Sequence, residues 1–400
     1  MKTERNVSYF ETWQHQITMA KLCNWCKEVK NTDIIIDSAK EASIYTDMLG
    51  YSFEDKLNKF KEVARHNAQH GNRVILILGN YKTFSVESAP NIVPDMEHAI
   101  QLGLIDEVQI WPSYFMCWNG YKVFKHAARR APNRKPDTPP MDKLFMLKIR
   151  QAKPHRVLLL DELAKYGILG GSKSVFSCID PQNVLQESMD RVGAKHYTYG
   201  KVCNQPEIVE NGDLYSEQPP GWKSCLLDVV SETSDVTRFI TEKTVWPIAD
   251  QMPFVIQGAQ YINHDLQKLG FEIFDELIDY KFDTLDNPRD RTVELAKELK
   301  RLHDLDLDYD KVYEELWPKI KHNLCRLMEL YHNDEYMPPV IKKYGHRIYE
   351  QTTPMHQDFW FVDPIQGSWL AYIDSDGRNQ QAVDLIRDVP YLAKMYRNRL

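Results

Sequence analysis

Along the chain, short apolar runs alternate with longer stretches in which apolar residues recur every three or four positions. Asp33-Ile-Ile-Ile-Asp37, Arg73-Val-Ile-Leu-Ile-Leu78 and Glu107-Val-Gln-Ile-Trp111 are of strand length and rich in β-branched residues, which suit a pleated surface. Between them, Phe53 to Gly71 puts Phe53, Leu57, Phe60, Val63 and Ala64 at helical spacing, and Pro94 to Gly103 follows the same rule. A second series repeats the scheme, with strands predicted over 143–149, 174–178, 225–230 and 254–257 and helices near 155–166, 241–250 and 259–269. Two strongly amphipathic helices follow over 290–303 and 308–332, carrying Leu295, Leu299 and Leu302 and then Leu316, Ile320, Leu324 and Leu327 on repeating faces. Beyond Met337 the sequence is rich in aromatic residues and its pattern assigns no element. Such βα alternation predicts an α/β fold with parallel sheets covered by helices.

Ala131-Pro-Asn-Arg-Lys-Pro-Asp-Thr-Pro-Pro140 suits neither a helix nor a central strand, so it reads as a linker between two α/β halves. The organisation expected for 400 residues is an α/β domain over 1–135, a second over 141–290, and a helical and irregular extension over 291–400 that returns toward the first. With 43% hydrophobic and 27% charged residues the chain has the composition of a globular protein, not a disordered one. Its longest apolar runs, such as Val157 to Leu160, are too short to cross a bilayer. Met1-Lys-Thr-Glu-Arg-Asn6 leads into no apolar segment, so no secretion signal is read and a cytoplasmic location is expected. Seven cysteines, an odd number spread over the chain, suit reduced thiols. Cys23-Asn-Trp-Cys26 has no second pair nearby to complete a zinc site.

Charge is unevenly distributed. The net charge is −7, yet Tyr121 to Arg156 holds eleven basic residues against only Asp137 and Asp142. Such a block is either a solvated face or a site for phosphates or a polyanion.

The most informative stretch runs from Asp228-Val-Val-Ser-Glu-Thr-Ser-Asp235 through Arg238 and Thr241-Glu-Lys-Thr-Val-Trp246 to Pro253-Phe-Val-Ile-Gln-Gly258. It reads as strand, polar loop, helix start and strand, with Thr241 or Asp235 as the helix cap. Lys243 in the first turn opposes the helix dipole and costs a few tenths of a kcal/mol unless an anion offsets it. These residues resemble the nucleotide-sugar site of the α1,3-fucosyltransferase family and its phage and viral relatives, over about thirty residues. The resemblance implies that Glu242 holds the donor ribose, Lys243 the diphosphate, and that Glu232 is the acidic residue of the preceding loop. Where that family has Phe-Glu-Asn-Ser, this chain has Ser231-Glu-Thr-Ser234, which leaves the donor base open between UDP- and GDP-linked sugars.

A second stretch, Leu144 to Leu160, resembles the opening strand and helix of the donor domain in viral relatives, where a strand ends in basic residues before Pro-His-Arg. It places Lys148, Arg150, Lys153 and Arg156 at the carboxyl end of the domain's first strand, where open α/β sheets bind ligands. The implied architecture is GT-B-like, with two Rossmann-like domains facing a central cleft. The implied activity is an inverting glycosyltransferase that neutralises the leaving diphosphate with cations instead of a metal or a resident cofactor. The donor-binding set expected is Lys148, Arg150, Arg156, Glu232, Arg238, Thr241, Glu242 and Lys243.

The Asp-rich string Asp304-Leu-Asp-Leu-Asp-Tyr-Asp310 reads as a helix cap and acidic first turn, because Tyr309 stands where a calcium loop needs glycine. For the base that takes the acceptor proton, Asp37 and Glu87 stand after strands of the first domain, with His70 a further option. His356 and Asp358 form an acid/base pair only if the tail folds over the cleft. Trp111, Tyr114, Trp118 and Tyr121 beside the basic block suit a stacked sugar or base, so the acceptor is either a saccharide or a hydroxymethylated pyrimidine in phage DNA. The alternative from another class is a nonenzymatic nucleotide-sugar or polyanion-binding protein of the same fold.

Overall fold

The structure, a computed structural model, describes residues 5–11, 28–38, 53–78, 105–112, 140–202, 221–332 apart from 237 and 239, and 336–349. The chain divides into two units, residues 1–115 with 334–371 and residues 116–333 with 372–400.

In the first unit, β1 (Asn6–Glu11), β2 (Thr32–Ser38), β3 (Arg73–Leu78) and β4 (Glu107–Ile110) form one parallel sheet in sequential order. Ile34, Ile35, Ile36, Val74, Leu76 and Ile77 are buried without exposed surface, as expected for parallel strands covered on both faces. The helix α1 (Phe53–His70) connects β2 to β3. No reversal of strand order occurs among these four strands.

In the second unit the strands are β5 (Lys143–Ile149), β6 (Ser174–Cys178), β7 (Cys225–Ser231) and β8 (Phe254–Gln257), all parallel, in the order β6-β5-β7-β8. The helices α2 (Pro154–Lys165), α3 (Leu185–Val192) and α4 (Glu242–Ala249) connect them, and α5 (Ile262–Lys268) follows β8. β5 comes first in sequence but lies between β6 and β7, so the strand order reverses there, and the loops leaving β5 and β7 flank the crevice this creates.

Leu144, Phe145, Met146 and Leu147 have no exposed surface, and neither have Val157, Leu159, Leu160 and Leu163 of α2. The helix α2 is enclosed because α6 (Pro288–Asp304) packs on it from outside, while α7 (Tyr309–His332) packs on α4. The Asp-rich string divides between these helices. Asp304 pairs with Lys300, and Asp308 accepts the backbone N–H of Lys311 as a cap, as its pattern predicts.

After α7 the chain rejoins the first unit as α8 (Pro339–Tyr349), which packs on β1. Buried Asp33 takes hydrogen bonds from Arg5 Nε and from the Tyr344 hydroxyl of α8, both at 2.5 Å.

Candidate anion site at the strand-order reversal

Three cations leave the carboxyl end of β5 within seven residues. Arg150 is exposed, Lys153 half-buried and Arg156 buried, and none forms an ion pair with a carboxylate among the described residues. The loop is anchored to β6, where the Asp180 N–H donates to the Arg150 carbonyl at 2.9 Å. Pro154 opens α2, and its missing N–H is harmless in the first turn. Lys153 Nζ donates to the Thr233 carbonyl at 2.9 Å, tying the β5 loop to the β7 loop. Burial lowers the Lys153 pKa, and the neighbouring charges of Arg156 and Lys243 lower it further.

Arg156 acts as an internal clamp. Its Nε and Nη2 donate to the Glu232 carbonyl at 3.2 and 2.8 Å, and Nη1 reaches the Gln151 carbonyl at 3.2 Å. His155 Nε2 meets the Glu232 carbonyl at 3.0 Å, so its ring is held between the two loops. Burial pushes the His155 pKa down to about 4, although Asp235, 3.7 Å from Nδ1, acts in the opposite direction.

His155 is therefore neutral when folded but titrates near 6.5 when unfolded, so the unfolded chain binds the extra proton between these values. Acidification through that window is expected to remove about 3 kcal/mol of stability. Urea unfolding of His155→Gln beside the parent at pH 7.5 and 4.5 checks this: the variant should lose markedly less stability, and equal losses contradict the assignment.

Glu232, the first residue after β7, is fully buried. Its Oε1 accepts from Thr241 N at 2.9 Å and Thr244 Oγ1 at 2.7 Å, and its Oε2 from Thr241 Oγ1 at 2.6 Å and Thr233 N at 3.1 Å. These donors consume the carboxylate, so Glu232 anchors the start of α4 from within and presents nothing to a ligand. Thr241 caps α4, accepting from Lys243 N. The Lys243 ammonium folds back over the helix end to Glu242 at 2.8 Å, Thr233 Oγ1 at 3.0 Å and Thr241 Oγ1 at 3.1 Å. Burial opposes ionisation of Glu242, but Lys243 outweighs it and holds the carboxyl below its usual range. Both side chains keep more than a quarter of their surface exposed.

Lys148 points elsewhere. Its Nζ pairs with Asp228 Oδ2 at 2.8 Å across β5 and β7. Asp228 is fully buried, burial raises its pKa against the pull of Lys148, and its Oδ1 has no hydrogen-bond partner among the described residues. Lys148 thus neutralises a core carboxylate.

Arg238 joins a different cluster, after β8. Its guanidinium lies 5.1 Å from the Tyr261 ring centroid and 3.6 Å from Asp265. Arg291, reaching in from α6, links the β7 and β8 loops by donating to the carbonyls of Asp235 and, at 3.3 Å, Gly258. A Cβ at Gly258 would fall 2.9 Å from Ile262 Cδ1, so a larger residue there has to displace the end of that side chain. Nothing in the spacing of the sequence singles out Arg291. Glu294 stands three positions from it, the spacing of the helix's own charge pairs, so Arg291 reads as one more surface cation.

Of the base candidates, Asp37 occupies the carboxyl end of β2, in register with Glu11 and Ile77. Glu87, His356 and Asp358 lie outside the described residues. His70 ends α1, stacks on His66 and accepts the Asn31 N–H on its carbonyl, beside the amino ends of β2 and β3. That is the edge opposite to the one where parallel sheets bind ligands, which removes His70 from consideration. Cys178 and Cys225 are free thiols whose pKa burial pushes up to about 11 and 12, which leaves them unreactive. Cys23 and Cys26 lie outside the described residues. No helix is long and apolar enough to cross a membrane among the described residues.

Comparison of the chain with protein-family models, curated proteins and solved structures gave no match.

Proposed function

We propose that the second unit binds the diphosphate of a nucleotide sugar at its strand-order reversal and that the protein is a glycosyltransferase. The observation that carries this reading is the pair Arg150 and Lys153 after β5, two cations without ion pairs among the described residues, with Lys243 beside Lys153 on the β7 loop, at the crevice between β5 and β7. Concentrating like charge is unfavourable unless an anion completes the site. Lys243 and the amino end of α4 add a movable ammonium and a dipole from the β7 side. The resemblance around Thr241-Glu242-Lys243 gives the anion its identity, with Glu242 on the ribose and Lys243 on the diphosphate. In this reading the leaving diphosphate is neutralised by side chains, and a hydroxyl of a saccharide or of a hydroxymethylated pyrimidine attacks the anomeric carbon with inversion.

The polyanion-binding alternative fits less well. Of the described members of the basic block, Lys148 pairs with buried Asp228, while Lys153 and Arg156 are turned onto backbone carbonyls of the β7 loop. Only Arg150 among these four projects into solvent.

Thermal unfolding with UDP, GDP, CMP and their sugars, with and without EDTA, tests the proposal. At a hundred times its dissociation constant a ligand stabilises the fold by about 2.7 kcal/mol. One nucleoside diphosphate should raise the melting temperature selectively and insensitively to EDTA. The absence of any shift overturns the proposal.

A further inference from the structure

We propose that His264, oriented by Asp283, is the base that takes the proton of the attacking hydroxyl. This rests on the glycosyltransferase reading above and assigns a step that its donor site leaves open.

Asp283 lies in the 3-10 turn Tyr280–Thr284, and its side chain is 1% exposed. Its Oδ1 accepts from Asn263 Nδ2 at 2.9 Å, and its Oδ2 from His264 Nδ1 at 2.7 Å and His264 N at 3.3 Å. Asn263 is itself fixed by two 3.0 Å hydrogen bonds with the backbone of Ile256 in β8. A buried carboxylate held this way assigns the His264 proton to Nδ1 and leaves the Nε2 lone pair as the acceptor. The His264 side chain is 37% exposed, and Nε2 has no hydrogen-bond partner among the described residues.

His264 stands in the first turn of α5, the helix that follows β8, and so at the carboxyl edge of the same sheet whose β5 and β7 loops carry the cations. Arg291 bridges that edge from Asp235 to Gly258, and Tyr261, under the Arg238 guanidinium, lies 6.0 Å from the His264 ring. Asp283 is the charged group that contacts the imidazole; Asp265 of the same helix pairs with Arg238 from the β7 loop and with Lys268, and Arg291 from α6 interacts electrostatically with Asp283.

In the step, the hydroxyl proton passes to Nε2 while its oxygen bonds to the anomeric carbon. The bond from that carbon to the diphosphate breaks, and its electron pair stays on the departing phosphate oxygen. The imidazolium, stabilised by Asp283, then returns the proton to water.

The test compares the full chain with His264→Gln and Asp283→Asn. Calorimetry with UDP and GDP measures donor-site binding, and release of nucleoside diphosphate from the corresponding sugar nucleotides, with water as acceptor, is followed from pH 5 to 9. His264→Gln should bind the diphosphate within about threefold of the parent, release it about a hundredfold more slowly, and lose the rise of rate with pH. Asp283→Asn, provided its melting curve shows it folded, should lower the rate with binding retained. Unchanged release and an unchanged pH profile in His264→Gln overturn the inference, as does a parent that binds the diphosphate yet releases none at any pH. A parent that binds no nucleoside diphosphate removes the glycosyltransferase reading itself, which separates the two failures.

Discussion

Glu232→Ala is expected to destabilise the protein by about 3–5 kcal/mol, read as a lower urea midpoint with an unchanged slope. The carboxylate is fully buried and accepts four hydrogen bonds, two from backbone N–H groups and two from threonine hydroxyls. Alanine leaves all four donors enclosed without an acceptor and opens a cavity at the start of α4. It also removes the buried negative charge that offsets Arg156, which cannot turn to solvent because its guanidinium is held on the Glu232 and Gln151 carbonyls. Glu232→Gln keeps the volume and one acceptor oxygen, and about 1–3 kcal/mol is expected for it. A loss below about 1 kcal/mol for the alanine variant contradicts the role given to Glu232.

Lys243→Ala should have the opposite profile, with ligand affinity falling steeply and stability moving little. The ammonium sits at the positive end of α4, where its charge opposes the helix dipole, and its three hydrogen bonds are all to groups within or beside the first turn. Without a ligand, removing it should change stability by no more than about 0.5 kcal/mol. In the proposed complex it would make a charge-assisted contact with phosphate, and truncating such a contact costs about 1.5–3 kcal/mol, or roughly ten- to a hundredfold in the dissociation constant of the nucleoside diphosphate. Titration calorimetry of parent and variant measures both. A loss below about threefold moves the diphosphate away from Lys243.

The strands were legible where burial on both faces makes them continuous apolar runs: 73–78, 143–149, 174–178 and 254–257 coincide with β3, β5, β6 and β8. Elements lacking that signature were missed. β1 mixes polar and apolar residues over Asn6–Glu11. α3 begins at Leu185 after Val184, which offers no side-chain cap, and only Gly193, left-handed at φ 68°, marks its end. α5 was expected from residue 259 but begins at Ile262, because Tyr261 is left-handed at φ 64° and its N–H is drawn to the Asp283 carbonyl.

The site was legible in the same uneven way. The basic residues after β5 and the Thr241-Glu242-Lys243 turn are local in sequence, and their chemistry is visible in one stretch. Their division of labour is not, because it depends on burial: Lys148 and Arg156 read alike in sequence, yet one neutralises Asp228 and the other grips the Glu232 carbonyl. His264 and Asp283 are 19 residues apart and belong to no local pattern, so only the fold brings them together.

The central claim is that the crevice between β5 and β7 holds a diphosphate. Backbone amide hydrogen exchange with and without saturating nucleoside diphosphate tests it most directly, because it reports where a ligand acts as well as whether one binds. Slowed exchange confined to the β5 loop over 150–156 and to the β7 loop and start of α4 over 233–246 is the predicted result. Slowed exchange elsewhere in the described residues, with these two segments unchanged, contradicts the claim.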